Sequence, residues 1–252
     1  MNGKKVVVVG GTGLIGSRVV RLLRASGHRA VPAALDTGVN TITGEGLAQV
    51  MEGAEVVVDV SNAPVLEGQA ALEFFEQSGR NLARAGTAAG VQHHVVLSIV
   101  GADRMPDNAY FVAKMAQEKS ARRHGLPLSI LRSTQFYEFL PGIADSNTVE
   151  GVVRLSGGLF QPIAADDVAA ALVSVAVGSP LRGTVEVAGP EREPMHRLIN
   201  RFLRAIGDPR KVERDADARY FGGTMTIDSL VPLGDARLGN IELDTWARRL
   251  AA

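Results

Sequence analysis

Three groups of residues in this chain have the types and spacing to do chemistry. Glycines at 10, 11, 13 and 16 directly follow the run Val6-Val7-Val8-Val9, and an amphipathic helical pattern begins at once behind them. A backbone leaving a strand there must turn sharply and come close to a pyrophosphate, which side chains at Gly10 and Gly13 would obstruct. Gly16 would let the helix pack near the sheet, and the helix's free N–H groups and positive dipole end would face the phosphates. Gly10, Thr12, Gly13, Leu14, Ile15 and Gly16 make up this candidate seat. A glycine-rich turn serving a buried strand, with no ligand, is the plainer alternative. A nucleoside-triphosphate loop is disfavoured because Ser17 stands where its phosphate-binding lysine should be.

Asp36 is the second group, about twenty residues beyond Gly16 at the expected end of the second strand. A carboxylate there accepts hydrogen bonds from the adenosine ribose hydroxyls and repels a 2′-phosphate, which favours NAD over NADP. Arg18 or Arg29 reaching a 2′-phosphate would reverse that preference, and a solvated turn aspartate before Thr37-Gly38 is the bland reading.

The third group is Ser98, Tyr110 and Lys114. Val95-Val96-Leu97-Ser98 ends a strand, where ligands bind in open α/β sheets, and Tyr110-Phe111-Val112-Ala113-Lys114 puts phenol and ammonium one helical turn apart. A ketone reduction needs a proton donor and a second group fixing the carbonyl oxygen, roles open to Tyr110 and Ser98. Moving a phenol from about 10 to near 7 takes about 4 kcal/mol. A cation at about 4–5 Å, at an effective dielectric of about 20, offers roughly 3–4 kcal/mol. Lys114 is thus sufficient in magnitude to bring Tyr110 down when a positive nicotinamide helps. Equally, the three could be a half-buried aromatic, a solvated helix lysine and a strand-end hydroxyl.

The elements that must position these groups alternate short apolar runs with longer amphipathic stretches, a rhythm of βα units feeding a parallel sheet. Strands are expected at Lys5–Val9, Arg29–Ala34, Glu55–Val60, His94–Ser98, Leu128–Leu131 and Thr184–Val187, with a very short one near Val39–Ile42. Ile15, Val19, Leu22 and Leu23 share a face of the first helix, which Gly27 ends. Further helices are expected over Glu67–Ala89, Asn108–His124 and Ala165–Val177. Asp166 or Asp167 opens the last as an acidic cap and dipole partner rather than as a metal ligand. The rhythm fails over 136–163 and after Gly189, segments expected to cover the sheet's C-terminal edge. The fold class is therefore α/β, a doubly wound parallel sheet with helices on both faces, in one domain spanning 1–252.

Totals narrow the partners. The 252 residues carry 27 Lys and Arg against 27 Asp and Glu, so no overall field gathers nucleic acid or an anionic membrane. No cysteine is present, which excludes thiolate metal sites and a cysteine nucleophile and leaves the cytoplasm as the default compartment. Lys4 and Lys5 precede an apolar run that breaks too soon for a signal peptide, and no stretch approaches the roughly 18 apolar residues of a membrane helix. His93-His94 lack metal-ligand spacing. A small-molecule substrate is the expected partner, and a homodimer is left open.

At these residues the chain resembles the short-chain dehydrogenase/reductase superfamily, in its atypical NAD(P)H-binding, NmrA-like branch. The resemblance rests on Gly-Gly-Thr-Gly-Leu-Ile-Gly at 10–16, Val-Asp-Val-Ser-Asn at 58–62, Leu-Ser-Ile-Val-Gly at 97–101, Tyr110 with Lys114, Leu-Arg-Ser-Thr-Gln-Phe at 131–136, and Pro-Ile-Ala-Ala-Asp-Asp-Val at 162–168. It implies a Rossmann-type fold and NAD or NADP as cofactor. Ser98, Tyr110 and Lys114 would be catalytic, Lys114 also holding the nicotinamide ribose, and Ser61 would join the cofactor site. The family's helix asparagine falls near Phe75 to Gln77, with Asn81 about one turn too late, so the proton relay departs from the pattern. Phe136, Tyr137, Phe139 and Leu140 would face a cleft with Met105 and Phe160 opposite, suiting an apolar or ring-containing carbonyl or quinone-like substrate. A core cluster under a loop accounts for them equally well. The branch includes reductases and also cofactor-sensing regulators without chemistry, so a non-catalytic redox sensor is the rival to an oxidoreductase.

Overall fold

Val6 to Val9 are almost wholly buried, because a parallel strand covered on both faces must be apolar throughout. In the computed structural model, which describes residues 3–65, 68–123 and 125–250, they belong to β1 (Lys5–Val9). There follow α1 (Leu14–Ala25), β2 (Arg29–Ala33), α2 (Leu47–Met51), β3 (Val56–Asp59), α3 (Gly68–Ala88), β4 (His93–Ile99), α4 (Ala109–Arg123) and β5 (Leu128–Ser133). Next come α5 (Leu140–Ser146), β6 (Thr148–Val149), β7 (Val152–Leu155), β8 (Leu159–Phe160), α6 (Ala165–Val177), β9 (Gly183–Ala188), β10 (Glu193–Pro194), α7 (Met195–Ala205), β11 (Lys211–Arg214), β12 (Arg237–Leu238) and α8 (Leu243–Leu250).

The central sheet has seven strands in the order β12-β9-β5-β4-β3-β1-β2, every neighbouring pair parallel. Alternate residues feed the two faces. Val6, Val8, Val95, Leu97 and Leu131 pack with α1 and α6, whereas Val57 packs with α2 and α3, and Val96 and Ile130 with α4. This is the doubly wound arrangement expected. The segments 136–163 and 189–245 are more organised than their pattern suggested. With α5, α7 and α8 they build a second apolar cluster around Tyr137, Phe160, Phe202 and Trp246, and small sheets β11-β7-β6 and β10-β8 brace it.

Two local expectations fail. Val39–Ile42 forms no strand: Asn40 Oδ1 accepts the N–H groups of Ile42 and Thr43, and this side-chain turn supplants a ladder. Asp166 and Asp167 lie in the first turn of α6 but do not cap it. Glu138 does, accepting the Ala165 N–H at 3.2 and 3.3 Å. Asp166 pairs with Arg18 and Arg21, and Asp167 accepts the N–H groups of Asn240 and Ile241. The expected ends at Glu67 and His124 lie outside the described residues.

At the sheet's N-terminal edge, His93 Nε2 meets Ser129 Oγ at 2.8 Å, and Ser129 Oγ also accepts the Leu181 N–H at 2.9 Å. Burial pushes His93 down to about 4. Because the unfolded chain takes up this proton near 6.5 and the native chain only near 4, the contribution is complete above pH 6.5 and is lost as pH falls through that window. Unfolding measured between pH 7 and 4 should show a loss of about 3 kcal/mol that His93→Gln largely removes. The same loss in both proteins would refute it.

Candidate functional site

The turn after β1 is built as a concave run of main chain. Gly10 has φ +76°, and a Cβ there would lie 3.0 Å from Ser61 N and Cα. Its constraint is therefore the close approach of the loop after β3. A Cβ on Gly16 would lie 2.0 Å from Gly10 O, so Gly16 lets the helix close onto the turn itself. Gly13 differs. It is the N-cap of α1, with φ −78° and no side-chain cap, and a Cβ would meet only Gly10 O, at 3.4 Å. Space there is kept open in front of the amides of Leu14, Ile15 and Gly16, which have no carbonyl within the helix to bond. Free amides, an uncapped helix and a bare glycine fit a pyrophosphate.

Thr12 Oγ1 donates to Asp36 Oδ1 at 3.1 Å, so the exposed Asp36 stands beside the turn although β2 ends three residues earlier. Neither arginine weighed for a 2′-phosphate is available. Arg18 is held by Asp166 and by Leu14 O, and Arg29 begins β2 at the opposite edge, paired in register with Lys5.

Ser98 lies in β4 on the face it shares with Val96, the face α4 covers. It is 3% exposed and its Oγ has no hydrogen-bond partner. Tyr110 lies in the first turn of α4, and its hydroxyl donates to Asn62 Oδ1 at 3.2 Å. Burial pushes the phenol up to about 12, against a smaller pull down from Asn62. Lys114 is not among the groups that lower it here, because the lysine is engaged elsewhere. Its ammonium donates to Leu97 O at 2.8 Å and to Gln117 Oε1, and lies 4.8 Å from the Phe75 ring centroid. Burial brings Lys114 down to about 8, opposed by Asp59 and Glu118.

Ser61 comes near this group by another route: its N–H and Oγ–H both go to Asp59 Oδ1, at 3.0 and 2.6 Å. Phe75 occupies the span where an asparagine was sought, and Asn81 Nδ2 instead ties down Thr41 O and Ile42 O. The apolar cleft is also corrected. Tyr137, Leu140, Met105 and Phe160 are fully buried core, and only Phe139, 52% exposed and stacked on Phe136 at 5.4 Å, offers an open ring. Asn62, Asp59 and Gln117 were missed as site residues. Asp59 and Asn62 lie inside a quoted motif, and Gln117 sits three residues beyond Lys114, where a helix brings side chains together.

Among the described residues no cluster of three or more His, Asp or Glu could hold a metal ion, and no helix is long and apolar enough to cross a membrane.

The sheet order and turn define a Rossmann-type nucleotide-binding fold, shared with NAD-dependent epimerases and reductases. It superposes on a UDP-N-acetylglucosamine 4-epimerase from Bacillus cereus with a TM-score of 0.73 at 19% identity, covering 99% of this chain and 96% of that one. A short-chain dehydrogenase/reductase superfamily protein from Agrobacterium tumefaciens, with bound NAD, gives 0.69 at 15% identity over 98% and 95%. Residues 10–177 match the NAD(P)H-binding family, and the chain belongs to that family. Relatives by sequence include (4-alkanoyl-5-oxo-2,5-dihydrofuran-3-yl)methyl phosphate reductase of Streptomyces griseus, 28% identical, covering 82% of this chain and 76% of the relative. The photosystem II assembly factor Ycf39 of Synechocystis is 26% identical over 83% and 70%.

Proposed function

We propose that this chain is an NAD(P)-dependent oxidoreductase that reduces a small carbonyl or quinone-like compound, with Tyr110 as proton donor. The observation that carries this reading is the buried, unpartnered Ser98 hydroxyl at the end of β4, beneath the helix that presents Tyr110. An orphaned buried hydroxyl costs about 1–3 kcal/mol, and a substrate carbonyl oxygen would satisfy it. When bound, the dinucleotide supplies the hydride. Tyr110 delivers its proton to the resulting alkoxide, and Ser98 fixes the same oxygen. A phenol held near 12 is protonated at neutral pH, as a proton donor must be. Asp36 beside Thr12, with Arg18 held by Asp166 and Arg29 at the opposite edge of the sheet, supports NAD over NADP. The reductase relative agrees with the reaction class.

The test is oxidation of NADH and NADPH against a panel of ketones, enones and quinones, with NADH the better donor expected. No turnover with any member would remove the reading.

A second reading, a redox sensor that binds NAD(P) without turnover, has its own support. The Lys114 ammonium already serves two acceptors and lies against the Phe75 ring, and no asparagine stands at 75–77 where the relay residue was expected. It requires unequal affinity for oxidised and reduced dinucleotide, since equal affinity shifts no equilibrium.

A further inference from the structure

Lys114 is buried at 4% exposure, and the groups around it form a continuous hydrogen-bonded chain. Its ammonium donates to Leu97 O and Gln117 Oε1. Gln117 Nε2 donates to Asp59 Oδ2 at 2.9 Å, and Asp59 Oδ1 takes both donors of Ser61. Gln117 and Asp59 are each 3% exposed. A primary amide can face either way, but an ionised carboxylate only accepts. Asp59 therefore obliges Gln117 to turn its NH₂ toward β3 and its oxygen toward the lysine. Reversed, the amide would present N–H to an ammonium and leave a buried carboxylate oxygen unpaired.

We infer that Gln117, aimed by Asp59, is the positioning residue that keeps Lys114 charged and fixed under the end of β4. Asp59 thereby joins Ser61, on the loop after β3, and Lys114, on α4, into one unit. This rests on the reductase reading for its purpose, since a ribose hydroxyl or a nascent alkoxide needs a cation there, but its test does not require turnover.

The charges facing the ammonium come from two elements. Asp59 lies at the end of β3. Glu118 is on α4, itself held by Arg132 at 2.7 and 3.0 Å, with Arg122 at 3.7 Å. Tyr110 is one turn earlier on α4 and stays neutral, and α3 contributes only the Phe75 ring.

Lysine Nζ and Cε resonances of the ligand-free protein can be titrated by NMR, with Lys114 assigned by its loss in Lys114→Met. Gln117→Leu and Gln117→Met should each lower the Lys114 midpoint by about one pH unit or more, whereas Gln117→Glu, which keeps an acceptor, should hold it at or above the wild-type value. A role in packing alone would lower the unfolding temperature and leave the midpoint in place. A midpoint unmoved in whichever of Gln117→Leu and Gln117→Met folds would therefore overturn the inference, as would a fall in Gln117→Glu. NADH titration of the same proteins separates the two readings. Wild-type protein that fails to bind NADH defeats the reductase reading, while the midpoints still decide the role of Gln117. If NADH binds, Gln117→Leu should lose about tenfold in affinity near pH 8 and much less near pH 6.5, where Lys114 stays charged in both.

Discussion

Turnover of the Tyr110→Phe variant is expected to fall about a hundredfold or more, with dinucleotide affinity changed less than about threefold. The change removes one oxygen and little else. The ring keeps its place against the second apolar cluster and Phe111, and the lost bond to Asn62 is worth about 1 kcal/mol. With the phenol near 12 rather than 7, wild-type reduction should show no phenol-dependent fall between pH 6 and 9. Steady-state rates with the best carbonyl acceptor, set beside NADH titration, decide this. Full activity in the variant would take the phenol out of the reaction, and parallel loss of binding would make it a structural residue.

Gly13→Ala gives the second large effect, and its contrast with Gly16→Ala is the informative part. At Gly13 the backbone already suits an L-residue, and the new methyl meets only Gly10 O at ordinary contact distance. The variant should fold with an unfolding temperature within a few degrees of wild type, yet bind NADH about a hundredfold more weakly, because the methyl occupies the space before the free amides. Gly16→Ala forces its methyl to 2.0 Å from Gly10 O, so the turn must open and stability should fall by several kcal/mol. Calorimetry with NADH titration on both variants separates the roles. Undiminished binding in Gly13→Ala would mean that phosphates do not enter this turn.

The parallel sheet could be read from the chain because its strands are buried on both faces, and such strands are unmistakable: Val6 to Val9, Val56 to Val58 and Val95 to Leu97 have no polar interruption. Ala165–Val177 matches the expected helix end for end. Spacing from Gly16 singled out Asp36, but its hydrogen bond to Thr12 is seen only in the fold. What escaped depends on partners distant in sequence. Glu138 caps α6 across the tertiary structure, where two aspartates in the right local position appeared sufficient. The Tyr110–Lys114 spacing correctly put both on α4, but spacing says nothing of competing acceptors, and Leu97 O and Gln117 take the ammonium first. The aromatics after β5 looked like a cleft wall because periodicity is silent about what α7 and α8 will lay over them.

Strand β12 closes the outer edge of β9, which lies next to β5 in the central sheet. Because β12 pairs only with Val187 and Ala188, it covers the last two residues of β9 and leaves the outer side of Gly183–Glu186 without a ladder partner among the described residues. A two-residue strand held at its exit by Asp167 thus blunts the C-terminal end of that edge, where a bare row of amides and carbonyls would otherwise template pairing with another chain.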